Sequence, residues 1–153
     1  MNRIVLSSRA HTTFERQRGL VVVELAIVLP LIILIMFATA ELGRALFQYS
    51  TLTKAVEAGA RYYASAVQDP FTDPAVAQSR TRNLVVFASP ANSGNAVLPG
   101  FGTGDVAVGG LVDDHISVSA DYDFQPIIGK LPIINRVIGN NLTMTATQTM
   151  RAL

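Results

Sequence analysis

From Leu20 to Ala40 the chain runs 21 residues with a single charge, Glu24. Coiled as an α-helix, that run is about 31 Å long, the thickness of a bilayer's hydrocarbon core. The helical pattern continues past Ala40 in altered form. Leu42, Ala45, Tyr49, Leu52, Val56, Gly59, Tyr63 and Ala66 follow a 3-4-3-4 spacing, with Glu41, Arg44, Lys54, Glu57 and Arg61 between them. That spacing predicts an apolar seam along one helix face. Glu57 and Arg61 stand four apart in the favourable order, worth a few tenths of a kcal/mol. One helix is therefore expected from about Leu20 to Ala66, roughly 70 Å long.

Asp69-Pro70 and Asp73-Pro74 end it. Asp73 is placed to cap a second helix with Pro74 at its first position, running to about Ala88 ahead of Pro90. The glycine-rich stretch 89–113 reads as a loop with one short strand at Asp105–Val108. Two stretches then alternate with period two: Ile116, Val118, Ala120, Tyr122 and Phe124, and later Leu142, Met144, Ala146 and Met150. They predict two strands joined by an apolar, Pro- and Gly-punctuated connection, Gln125–Asn140. The expected fold class is α+β, a long N-terminal helix packed on a small antiparallel sheet. Its parts are a basic leader (1–19), a transmembrane part of the helix (20–40), an amphipathic continuation (41–66) and a small extracytoplasmic domain (67–153).

Charge and composition narrow the function. The 153 residues carry a formal net charge of only +1, which argues against a nucleic-acid partner. The leader holds Arg3, Arg9, Arg16 and Arg18 against Glu15, favouring a cytoplasmic N-terminus, although Arg44 and Lys54 on the far flank weaken the bias. With no cysteine and two histidines, thiolate metal sites are excluded. Asp113-Asp114-His115 reads as a turn before a strand rather than a metal site. Gly100-Phe101-Gly102-Thr103-Gly104 opens no helix, so a flexible loop is expected in place of a phosphate cradle. No nucleophile–base pair stands out. Neither an enzyme nor a bound cofactor is expected, and the Asn141-Leu142-Thr143 sequon lies in a strand and is given no role.

The informative constellation is Arg18-Gly19, then Glu24, at the mouth of the apolar run. A carboxylate in hydrocarbon is costly without a partner. Were the chain cut after Gly19, Leu20 would gain an α-amine about one turn from Glu24, free to pair with Glu24 of a neighbouring subunit. Pro30 cannot donate to the carbonyl of Ala26, so a kink or a packing role is expected there. Ala55 with Gly59, and Ala60 with Ala64, are small residues four apart that permit close helix approach, either to a partner or, the favoured reading, to the chain's own sheet.

Gly19 followed by four residues and Glu24 resembles the cleavage motif of type IV prepilins and pseudopilins. The stretch Arg18-Gly19-Leu20-Val21-Val22-Val23-Glu24-Leu25-Ala26-Ile27-Val28-Leu29-Pro30 resembles the TadE-like pilus assembly proteins, apart from Leu25, where that family often has an aromatic. The likeness continues through Glu41, Gly43, Arg44, Gln48, Ala55, Gly59-Ala60-Arg61 and Tyr62. It is weaker over Arg82–Phe87 and Met144–Arg151. The resemblance implies a pilin-like minor pilin or pseudopilin of a tight-adherence (Flp-type) pilus, cut by prepilin peptidase between Gly19 and Leu20. Implied partners are that peptidase, other pilins and pseudopilins, the inner-membrane pilus assembly machinery and the membrane. The implied location is the inner membrane, single-pass, with the C-terminal domain extracytoplasmic and incorporation into the pilus left open. Two other readings stand beside it. One is an ordinary secretory signal cut at Ala38-Thr39-Ala40; the other is a signal-anchored or secreted binding module unrelated to pili.

Overall fold

The structure, a computed structural model, describes residues 12–127 and 142–152. Most of the expected leader and most of the Gln125–Asn140 connection lie outside the described residues. The chain divides into two compact units, Met1–Ala40 and Glu41–Leu153.

Helix α1 spans Thr12–Ala66. It starts eight residues before the expected Leu20, because Thr12–Arg18 contains strong helix formers (Glu, Gln, Arg) and no proline to stop them. In the first unit its apolar residues from Leu20 to Phe37 are largely exposed. Pro30 lies inside the helix, and the residues on both sides remain helical.

In the second unit α1 buries Leu52, Val56, Ala60 and Tyr63. Helix α2 (Pro74–Phe87) begins at Asp73, which keeps an extended backbone while its carboxylate accepts the Ala75 N–H at 2.8 Å. That cap satisfies one of the first-turn donors that no helix can satisfy internally. The helix stops at Ala88, which takes the left-handed conformation at φ 53°. Ala77, Thr81, Val85 and Val86 form its buried stripe, and the Thr81 hydroxyl is satisfied by donating to the Ala77 carbonyl at 2.8 Å.

Three antiparallel strands, β1 (Val106–Val108), β2 (His115–Phe124) and β3 (Leu142–Arg151), lie in the order β1-β2-β3. Val118 opposes Val108 on one side and Gln148 on the other, and Tyr122 opposes Met144. The alternation in β2 appears as burial: Ile116, Val118, Ala120, Tyr122 and Phe124 all face the core. The opposite face is polar, with Asp121 and Asp123 each accepting a threonine hydroxyl, from Thr145 and Thr143, at 2.6 Å.

Three expectations need correction. Leu142 is 55% exposed rather than part of the core face, at the terminal pair of the β2–β3 ladder opposite Phe124. The glycine-rich segment is not a free loop. Leu98 and Phe101 are buried, Val97 N–H bonds the Val86 carbonyl, and the Phe101 ring meets Tyr122 edge-on with centroids 6.0 Å apart. Gly100 makes this possible by adopting φ +77°, open to glycine at little cost. The apolar seam of α1 is also rotated at its start. Leu42 and Tyr49 are exposed, whereas Glu41, Arg44 and Gln48 turn toward the domain.

Candidate processing and assembly site

Gly19 and Leu20 lie on the helical part of α1, and a Cβ at Gly19 would meet nothing within 4 Å. A peptidase that acted on this bond would have to unwind a helical segment, which glycine would ease because it stabilises helix least among non-proline residues. Glu24 is exposed one turn further on, surrounded by Val21, Val22, Val23, Leu25 and Ile27, themselves exposed. Among the described residues it takes part in no salt bridge. A carboxylate so placed is available for a cation from outside the chain.

Pro30 lies six residues beyond Glu24 on the same apolar stretch and is exposed. Gly59 sits elsewhere, in the second unit. A Cβ there would overlap Val85 Cγ2 and lie 3.5 Å from Thr81 Cγ2. Its neighbour is therefore α2, not the sheet as expected from the sequence. The small residue lets two helix backbones approach closely.

A second cluster went unrecognised in the sequence. Arg44 Nη2 donates to the Gln125 carbonyl at 2.6 Å, its guanidinium carbon lies 5.0 Å from the Phe124 ring centroid, and Nη1 is 3.6 Å from Glu41 Oε1. That same Glu41 oxygen accepts the Ile127 N–H at 2.9 Å. Two charged side chains one turn apart thus hold both sides of the peptide that leaves β2. Beside them a cavity of about 240 Å³ is lined by Arg44, Gln48, Tyr122 and Gln125, among others. The Tyr122 hydroxyl donates to the Pro99 carbonyl at 3.1 Å. Burial pushes its phenol above the usual 10.0, and the Arg44 charge holds it part of the way back. The available signal was the 41-44-48-52 spacing, which continues the buried stripe in polar letters.

Asp113 and Asp114, with φ 50° and 60°, form the turn ahead of β2, and His115 Nδ1 lies 2.6 Å from the Asp113 carbonyl. This is the turn that the sequence implied.

The chain is an α+β protein in which, among the described residues, one helical stretch, Gly19–Ala66 of α1, is long and apolar enough to cross a membrane. Residues 19–61 match the model of the TadE-like protein family, beginning at Gly19 and taking in Glu24, Glu41, Arg44 and Gly59. The match covers somewhat over a quarter of the chain. Neither a curated protein nor a solved structure matches it significantly.

Proposed function

We propose that this chain is a minor pilin or pseudopilin of a tight-adherence (Flp-type) pilus system. In this reading prepilin peptidase cuts it between Gly19 and Leu20, Leu20–Ala40 anchors it in the inner membrane, and the domain from Glu41 onward is extracytoplasmic. It works by packing and charge pairing with other pilins and pseudopilins, not by catalysis, and calls on no cofactor. The supporting observation is the TadE-like match at residues 19–61, with Glu24 the lone acid of the exposed apolar stretch Leu20–Ala40. Cleavage would convert the Leu20 nitrogen to an ammonium close to that acid. In a low-dielectric bundle such a pair is worth far more than in water, and each charge alone is costly there.

The test is the N-terminal peptide of protein purified from its native membrane, read by mass spectrometry. The expected first peptide begins Leu-Val-Val-Val-Glu. A first peptide starting at Glu41 would establish cleavage after Ala38-Thr39-Ala40 and overturn the reading.

A further inference from the structure

We propose that Glu41 and Arg44 form a main-chain clamp, positioning the Gln125–Ile127 peptide against the adjoining turns of α1. This proposal is independent of any role in a pilus. The two side chains grip opposite polarities of one short stretch: the Gln125 carbonyl accepts from Arg44, and the Ile127 N–H donates to Glu41. The Glu41–Arg44 ion pair, 3.6 Å apart, holds each group in place for its partner. Apart from the Phe124 ring beneath Arg44, what the clamp grips is backbone. Backbone is present whatever residues occupy positions 125 and 127.

That choice of partner has a consequence. The TadE-like match ends at residue 61, and the gripped peptide lies beyond it. A helix that reads main-chain atoms can hold a sheet without side-chain complementarity to it. Glu41 Oε2 is buried with no partner among the described residues. A buried acceptor left unpaired is destabilising, and an apolar residue would avoid that penalty. What glutamate offers that an apolar residue does not is an acceptor for the Ile127 N–H.

The test follows amide hydrogen exchange by NMR in the full-length chain held in detergent micelles. Glu41→Ala should speed exchange at Ile127 by about tenfold to a hundredfold, the loss expected for one charge-assisted hydrogen bond. Glu41→Gln, whose amide oxygen still accepts, should recover most of the protection. Gln125→Ala and Ile127→Ala should leave Ile127 protected, since neither removes a gripped atom. Protection at Val118 and Tyr122 within the β2–β3 ladder should stay constant in every variant. Unchanged exchange at Ile127 in Glu41→Ala would overturn the clamp. So would a proportional rise across β2 and β3, which marks general loosening, or a loss of Ile127 protection in Gln125→Ala.

Discussion

Two glycines on the same helix should respond to alanine with opposite signs. At Gly59 a Cβ would overlap Val85 Cγ2 and touch Thr81, both of which are fully buried. Val85 cannot swing aside, because a β-branched side chain in a helix is held to essentially one rotamer. The strain falls on the α1–α2 spacing, and forcing an extra carbon into a packed core costs about 1–3 kcal/mol. Against this, alanine gains about 0.8–1.0 kcal/mol over glycine in helix propensity. Gly59→Ala should therefore lose up to about 2 kcal/mol once that gain is subtracted from the overpacking cost. At Gly43 a Cβ would meet nothing within 4 Å, so only the propensity term remains. Gly43→Ala should gain up to about 1 kcal/mol. Pulse proteolysis of the full-length protein across a urea series in micelles reads both. With a slope of about 1–3 kcal/mol per molar urea, the two midpoints should move in opposite directions by several tenths of a molar. A Gly59→Ala midpoint shifted upward, as for Gly43→Ala, would refute the close α1–α2 approach.

Two further outcomes are expected. On the proposed function, Glu24→Gln should leave membrane level and cleavage after Gly19 largely normal while abolishing crosslinks to pilus components, because it would remove the charge proposed to meet a Leu20 ammonium; full crosslinking and piliation would refute the charge pair. Asp69 accepts the Phe71 N–H at 3.0 Å and the Thr72 hydroxyl at 2.7 Å, and these bonds, the backbone one foremost, hold its carboxyl below the usual 3.8. A carboxyl with a lowered pKa contributes stability fully above 3.8 and loses it as pH falls through the folded value. The Phe71 amide shift should accordingly titrate with a midpoint below 3.8, and the Asp69→Asn variant should show no such titration.

The residues themselves determined whatever depends on near neighbours. The apolar run from Leu20 to Ala40, the Asp73-Pro74 start of α2 and the inward alternation of β2 were all legible. Each follows from backbone geometry within a few residues: helix rise, a cap on orphan N–H groups, the two-residue pleat. The stripe from Leu52 to Tyr63 was legible for the same reason, since an apolar repeat at helical spacing has to be buried against something.

What it is buried against was decided only by the tertiary structure. Gly59 faces Val85 of α2 and not the sheet, because periodicity marks a face without marking its partner. The loop segment around Phe101 became core through the same kind of distant contact, with Tyr122. The inward turn of Glu41 and Arg44 was the least legible feature. Their partners are main-chain atoms 86 and 81 residues away, and a carbonyl or an N–H leaves no mark in the sequence. Charged letters at a helix edge ordinarily signify solvent, because an unpaired buried charge is so costly. Here hydrogen bonds to a returning strand end offset that cost, and only the folded chain brings that strand end within reach.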